Sequence, residues 1–297
     1  MSVGERRGAG WFTRVTVLVV CLIWLFPAAG VLVTSFRSST DANTSGWWSA
    51  LGRPFDTAQW TLENYRTVLE TGGFDNALLN SLAVAIPATV MPITMAAFAA
   101  YAFSWMEFRG RQVLFVLVVA LMVVPLQMAL IPILRLYNGG AELFGLTVFP
   151  DLGLNGTFLG IWLAHTAFGL PLATYLLRNY IGSLPSSIIE SAKIDGADHF
   201  TIFTRLIVPL SVPALAAFTI FQFLWVWNDL LVAYVFLGGT RDNRVVTIAL
   251  QMLSGSQGQD WHLLTAAAFV TMALPLLVFF SLQRYFVRGL TAGAVKG

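Results

Sequence analysis

Long stretches without a charged residue alternate with short polar segments along the whole chain. Six of these apolar stretches cover 15–36, 76–106, 112–134, 152–177, 206–228 and 261–283. Each reaches or exceeds the roughly 20 residues that a helix needs to cross a hydrocarbon core of about 30 Å. The pattern therefore predicts an all-α membrane protein with six transmembrane helices.

Composition agrees with this pattern. Of the 297 residues, 57% are hydrophobic and 11% are charged, whereas globular proteins average about 25% charged residues. The first apolar stretch is longer than the roughly 7–15 residues of a signal-peptide core, and no clear small-x-small cleavage site closes it, so we expect an uncleaved helix. It contains Cys21, the one cysteine of the sequence, which excludes an intrachain disulfide and a cysteine metal site.

The distribution of basic residues predicts the orientation. An even number of spans places both termini on one side of the membrane. If that side is the cytoplasm, eleven of the seventeen Lys and Arg residues fall inside and six outside. This excess obeys the positive-inside rule, so we expect a multi-pass protein of the cell (inner) membrane with both termini cytoplasmic.

The remaining polar segments suggest three regions: an N-terminal span with an extracytoplasmic loop (1–75), a transmembrane core (76–288) and a cytoplasmic tail (289–297). In the loop, Trp47, Trp48 and Trp60 are expected to anchor at lipid headgroups, and docking of an external partner is the alternative. The stretch Val245–Leu253 is too short to span and predicts a helix at the membrane interface. Prolines in spans two to six predict kinked helices.

A polar island separates the fourth and fifth apolar stretches. It reads Glu190-Ser191-Ala192-Lys193-Ile194-Asp195-Gly196 and is followed, after nine residues, by Leu206-Ile207-Val208-Pro209. Ser187 as N-cap and Glu190 three residues later predict a capping box, and Gly196 can adopt the left-handed conformation that ends a helix. We therefore expect a cytoplasmic helix of two to three turns, with an apolar face that seeks a partner surface. A plain connector, with Glu190 only capping its own helix, is the alternative.

The island resembles the coupling helix of type I ABC importer permeases. Ser191 in place of alanine and Leu206 in place of isoleucine are mild departures, while the spacing from Glu190 through Gly196 to Pro209 is intact. The resemblance implies docking into an ATPase subunit by the following residues: Glu190, Ser191, Ala192, Lys193, Ile194, Asp195, Gly196 and Ala197. The sequence has no Gly-x4-Gly-Lys-[Ser/Thr] phosphate loop, so ATP and magnesium are expected on a partner chain and no cofactor on this one.

Two further stretches are similar to the carbohydrate-uptake branch, in particular to the second permease of maltose-type systems. They are Trp225-Val226-Trp227-Asn228-Asp229 and the tail Gly289–Gly297. This likeness implies four partners: a homologous second permease, two nucleotide-binding ATPase subunits and an extracytoplasmic solute-binding protein. It implies that the tail contacts the ATPases through Gly293, Ala294, Val295, Lys296 and Gly297, a disordered end being the alternative. It implies that a loop reaches the binding protein through Ser254, Gly255, Ser256, Gln257, Gly258, Gln259 and Asp260.

A few polar residues lie within the apolar stretches. Asp229 is expected to face the bundle interior, because a charge at the bilayer centre costs about 2.5–3.5 kcal/mol on insertion scales. It either lines the solute path with Gln222 and Asn228 or holds helix ends together near the outer interface. His165, in the middle of span four, either hydrogen-bonds between helices or contacts a sugar hydroxyl.

The function indicated by these features is that of the permease subunit of an ATP-driven, binding-protein-dependent importer for a sugar or oligosaccharide, with no enzymatic activity of its own. An ion-coupled secondary transporter is the alternative, although such coupling generally uses several intramembrane ionisable groups or inverted repeats. An intramembrane hydrolase would need a nucleophile with a base or a zinc motif such as His-Glu-x-x-His, and the sequence shows neither.

Overall fold

The computed structural model describes residues 10–71, 73–255 and 260–294. These residues form α-helices joined by short turns, with one small β-hairpin. The helices are α1 Trp11–Ser35, α2 Ser39–Thr44, α3 Trp48–Leu51, α4 Glu63–Thr71, α5 Phe74–Trp105, α6 Arg111–Ala120, α7 Leu126–Gly139, α8 Phe158–Ile181, α9 Ser186–Ile194, α10 His199–Ile202, α11 Val208–Trp227, α12 Leu231–Leu237, α13 Val246–Gly255 and α14 Trp261–Ala294.

Five helical segments in the described part of the chain are long and apolar enough to cross a membrane. They are α1, α5, α8, the continuous run His199–Trp227, and Trp261–Arg284 within α14. They coincide with five of the six predicted spans, so the all-α membrane fold is confirmed.

The third predicted span is broken. The α6 helix and a 3₁₀ turn at Leu121–Val123 are followed by α7, which is bent by 105° relative to the first half. Pro125 stands at the break, and the preceding Val124 has the extended backbone (φ −71°, ψ 118°) that a following proline favours. The kink predicted for this span is therefore a full break of the helix, and the count of six holds if both halves belong to one crossing.

Prolines are accommodated inside six of the described helices. Pro27, which the sequence reasoning passed over, lies within α1. The others lie in α5, α7, α8, α11 and α14 and are Pro87, Pro92, Pro132, Pro171, Pro213 and Pro275. Each removes one intrahelical hydrogen bond.

A β-hairpin joins α7 to α8. Strand β1 (Ala141–Leu143) pairs antiparallel with β2 (Leu146–Phe149). The turn residues Phe144 and Gly145 both have positive φ, at 52° and 77°, as a type I′ turn requires.

The predicted helix at Val245–Leu253 forms as α13. The beginning of the helix is buried in protein, since Val245, Val246 and Ala249 are at most 4% exposed. The backbone N–H of Val246 donates to Ser81 Oγ of α5 at 2.8 Å. This end of the helix therefore packs against the helix bundle.

The chain divides into two compact units, one formed by residues 1–74 and 250–272 and the other by 75–249 and 273–297. In the first unit, Arg37 is buried and its guanidinium donates to the carbonyl and hydroxyl of Ser45. Trp47 packs edge-on against Phe26 of α1 at 5.1 Å, while Trp48 is 65% exposed. Trp47 is therefore partly used in packing within the chain.

A hydrophobic cluster in the second unit joins α5, α8, α9 and the start of α11. Its buried members are Ala96, Ala97, Ala100, Tyr101, Ala173, Leu177, Ile181, Ile189, Ile202, Phe203, Ile207 and Phe218. Ile189 is the contribution of α9. We call this set the basal cluster, and it fixes α9 to the end of the bundle.

Candidate functional site

The polar island folds as α9, but its start differs from the prediction. The helix begins at Ser186 with Pro185 as N-cap, and no side chain caps it. The φ of Pro185 is −59°, a value that suits the residue before a helix. The helix therefore begins two residues earlier than a Ser187 cap requires. Ser187 therefore lies inside the first turn and Glu190 beyond it, and the predicted capping box is wrong.

The end of α9 follows the prediction for Gly196, whose φ is +79°. The N–H of Gly196 donates to the Lys193 carbonyl at 3.1 Å, and the N–H of Ala197 donates to the Ala192 carbonyl at 3.0 Å. These two bonds make a Schellman motif. The left-handed glycine stops the helix and turns the chain toward α10.

The two faces of α9 differ sharply in exposure. Ile189 is 2% exposed and lies in the basal cluster, against which Ala192 and Ala197 also pack. Of the predicted apolar face of Ile188, Ile189 and Ala192, the chain itself thus covers Ile189 and Ala192, while Ile188 stays 36% exposed. The most exposed large apolar side chains of the region are Ile194, at 86%, and Phe200, at 66%.

The outer face of α9 is otherwise polar. Glu190, Lys193 and Asp195 are exposed, and within the described residues none of the three forms an ion pair. Apart from Gly196 and its two chain neighbours, no atom of the described residues lies within 4 Å of the position that a Cβ on Gly196 would take. The exposed face therefore combines unpaired charges, one large apolar side chain and an unobstructed backbone.

Two polar contacts fix the connection from α9 to the bundle. Asp198 caps α10 by accepting from the Thr201 N–H at 2.8 Å. Hydrogen bonds from the Thr201 hydroxyl and N–H lower the pKa of Asp198, so the cap is ionised at neutral pH. Tyr101 Oη of α5 lies 2.9 Å from His199 Nδ1. The sequence reasoning missed this pair, because its members are 98 residues apart.

A π-helical turn at Phe203–Ile207 leads from α10 into α11. Its defining bond runs from the Val208 N–H to the Phe203 carbonyl, five residues back. The next residue, Pro209, has no N–H for the Arg205 carbonyl, and its ring crowds that carbonyl. The proline at the end of the island motif thus favours a widened turn, a signal that was present in the sequence.

The intramembrane candidates separate into two places. Asp229 lies at the break between α11 and α12, where its carboxylate accepts from the N–H groups of Val232 (3.2 Å) and Ala233 (2.9 Å). The Asp229 carbonyl accepts from the Thr247 hydroxyl at 2.7 Å. His165 is fully buried, with Nε2 at 3.7 Å from Asp229 Oδ2. These contacts favour the role of Asp229 in holding helix ends.

The other two candidates, Gln222 and Asn228, lie apart from this pair. Gln222 is buried and donates to the Ala88 carbonyl at 3.1 Å. It also borders an apolar cavity of about 490 Å³, whose wall includes the rings of Phe168, Phe221 and Trp225. Asn228 is exposed and donates to the Leu224 carbonyl of its own helix at 2.7 Å.

The two predicted contact segments outside α9, Ser254–Asp260 and Gly293–Gly297, are only partly described. Ser254 and Gly255 end α13. Asp260 directly precedes α14, and its backbone carbonyl accepts from the Leu264 N–H at 2.9 Å. Residues 256–259 lie outside the described residues. The helix α14 continues through Gly293 and Ala294, so these tail positions are helical, and Val295, Lys296 and Gly297 lie outside the described residues.

Comparison with known proteins assigns the chain to a family. The family model described as "Binding-protein-dependent transport system inner membrane component" matches residues 76–292. The chain belongs to this family. It is therefore a multi-pass inner-membrane component of a transport system, and neither an enzyme nor an ion-coupled transporter.

Similar proteins from several organisms bear this out. The osmoprotective compounds uptake permease of Synechocystis sp. is 58% identical over 95% of this chain and 91% of its own length. The alpha-glucoside transport system permease of Rhizobium meliloti is 42% identical, with all of both chains covered. The trehalose/maltose transport system permease of Thermococcus litoralis is 32% identical over 94% of each chain.

A solved structure shows the same fold. A chain of a bacterial ABC transporter that imports the acidic polysaccharide alginate aligns with a TM-score of 0.70 over 93% of this chain and 95% of that one. Sequence identity is 21%. The resemblance to ABC importer permeases is therefore confirmed for the family and for the fold.

Proposed function

We propose that the chain carries a sugar, an oligosaccharide or a related hydroxyl-rich solute across the membrane, driven by ATP hydrolysis on separate subunits. The names of its relatives support this solute class, since they refer to alpha-glucosides, to trehalose and maltose, and to osmoprotective compounds. The proposed assembly contains a second permease, two ATPase subunits that bind ATP and magnesium, and an extracytoplasmic solute-binding protein.

In this proposal α9 is the element that docks into an ATPase subunit. One observation carries it: the helix is rooted in the basal cluster by Ile189, while its opposite face presents Ile194 and an unobstructed Gly196. An amphipathic helix of this kind suits a groove on a partner. The proposed contact residues are Glu190, Ser191, Ala192, Lys193, Ile194, Asp195, Gly196 and Ala197.

The remaining contacts follow from the proposed orientation, with α9 and both termini in the cytoplasm. Gly293–Gly297 would then reach the ATPases, and Ser254–Asp260 would reach the binding protein on the opposite side. Gln222 is the best placed of the proposed path residues, since it borders the 490 Å³ cavity with three aromatic rings. Aromatic rings and an amide suit the apolar faces and hydroxyl groups of a sugar.

Movement of α9 would be transmitted to α5, the second predicted span, through the contact between His199 and Tyr101. We expect Tyr101→Phe to lower the amount of solute transported per ATP hydrolysed by at least twofold, because it removes the hydroxyl that bonds to His199. The measurement is solute uptake and phosphate release in the same proteoliposomes. Tyr137→Phe is the matched control, since its hydroxyl bonds to the Gly160 carbonyl of α8, and an equal loss in both variants would contradict the expectation.

The widened turn before α11 would act as the flexible joint between α9 and span five. We expect Pro209→Ala to raise the thermal unfolding midpoint, because proline inside a helix costs about 3 kcal/mol, and to weaken solute-stimulated ATP hydrolysis. Pro213→Ala, one turn further into α11, should raise the midpoint without weakening hydrolysis. Unchanged stimulation in Pro209→Ala would exclude the joint.

The experiment that tests the function is reconstitution of the whole assembly in proteoliposomes. ATP hydrolysis should rise several-fold when the binding protein is loaded with its solute, and labelled solute should accumulate inside. Alpha-glucosides, trehalose and maltose form the first panel, with an amino acid as control. Stimulation by the amino acid and by none of the carbohydrates would overturn the proposed solute class.

A further inference from the structure

A small polar cavity lies between α5, α8 and the junction of α11 with α12. Its volume is about 10 Å³. The polar side chains in its wall are Ser81, His165 and Asp229, and the apolar wall includes Val84 and Ala233. A cavity of this size is far too small for a sugar, and it has about the volume that one water molecule needs.

His165 is the group that the other contacts leave unsatisfied. The side chain is fully buried, and neither ring nitrogen has a hydrogen-bond partner within the described residues. The 3.7 Å between Nε2 and Asp229 Oδ2 exceeds the roughly 3.2 Å limit of a direct N–H···O hydrogen bond. The edge-to-face contact with the Trp225 ring, at 5.3 Å, holds the imidazole in place without satisfying a nitrogen.

Asp229 and Ser81 retain capacity for a further bond. The two carboxylate oxygens of Asp229 each accept one backbone N–H, while a carboxylate offers about four acceptor positions. Ser81 Oγ accepts the Val246 N–H, and a hydroxyl also has a hydrogen to donate. Donors and acceptors from three helices therefore converge on one cavity.

We propose that this cavity is a binding site for a single water molecule that bridges His165 Nε2 and Asp229 Oδ2. Three polar side chains supply the two to four partners that a buried water uses. The water would complete the hydrogen bonding of His165 and link α8 to the α11–α12 junction. The three polar groups are too few to coordinate a metal ion, which commonly takes at least four ligands.

The direct test is a cryo-electron microscopy map of the assembled transporter in lipid nanodiscs, at a resolution that shows ordered water. The expected result is one density peak about 2.6–3.2 Å from His165 Nε2 and from Asp229 Oδ2. A direct His165–Asp229 hydrogen bond, or clear side-chain density with no peak between them, would overturn the proposal.

A thermal-unfolding cycle on the same assembly gives an independent test. If Ser81 and His165 bind the same water, the midpoint shifts of Ser81→Ala and His165→Phe will not add in the double variant, because each change weakens the binding of one shared molecule. Thr89→Val is the matched control on α5, since Thr89 Oγ1 is buried without a partner within the described residues and lies outside the cavity wall. The midpoint shifts of Thr89→Val and His165→Phe should add in their double variant. Additive shifts in both pairs of variants would refute the shared water.

Discussion

Replacing Gly196 with asparagine is expected to abolish most solute-stimulated ATP hydrolysis, by tenfold or more, while leaving α9 folded. Asparagine tolerates the left-handed backbone conformation better than most residues, so the φ of +79° and the Schellman end can persist. Within the described residues, and apart from its chain neighbours, a Cβ at position 196 would meet no atom within 4 Å. The loss would therefore come from the ATPase surface, which the added atoms would hold away. Hydrolysis by the reconstituted assembly is the measurement.

Gly110 supplies a matched control for this substitution. It has a φ of +82° at the start of α6 and the same open surroundings, so Gly110→Asn carries a similar backbone strain. We expect it to retain at least half of the stimulated hydrolysis. If the two variants lose activity equally, strain accounts for both effects and close approach at Gly196 does not.

Ile189 and Ile194 are the same residue type on opposite faces of one helix. Replacing Ile189 with alanine should lower stability, whereas replacing Ile194 should weaken ATPase binding. Ile189→Ala should destabilise the chain by about 2–5 kcal/mol, because it opens a cavity in the basal cluster. Ile194→Ala should change stability by less than about 0.5 kcal/mol, because the side chain is 86% exposed. It should instead weaken binding of the ATPase by about tenfold or more.

Two measurements on the same preparations distinguish the effects of the two variants. Thermal unfolding in detergent reports stability, and titration with the purified ATPase subunit reports affinity. Each variant serves as the control for the other. If the Ile194→Ala variant binds the ATPase as tightly as the wild type does, the exposed face of α9 is not part of the docking surface.

The sequence predicted the spans well wherever a charge-free stretch contained no strong break. The five long apolar helices follow from length and composition alone. In the third span a kink was predicted, but Pro125 does more than bend the helix: the preceding residue becomes extended and the two halves meet at 105°. The size of such a bend depends on packing around the break, which a single sequence does not show.

The island shows the same division between local and long-range information. Gly196 was predicted to end the helix and does so, because the left-handed conformation is a local property of glycine. The capping box failed because Pro185 competes locally with Ser187 for the start of the helix. The burial of Ile189 and the bond between Tyr101 and His199 depend on helices far apart in sequence.

The contact of α9 with the ATPase is the central claim, and cysteine cross-linking tests it most directly. The starting protein is Cys21→Ser, which removes the one cysteine of the sequence, and it carries either Ile194→Cys or Phe144→Cys. Phe144 is 97% exposed in the hairpin turn, on the side proposed to face away from the ATPase. A short bifunctional reagent should join position 194 to the ATPase subunit in the assembled transporter and leave position 144 unjoined. Capture of the ATPase from position 144, or its absence at 194 in an assembly that hydrolyses ATP, would contradict the account.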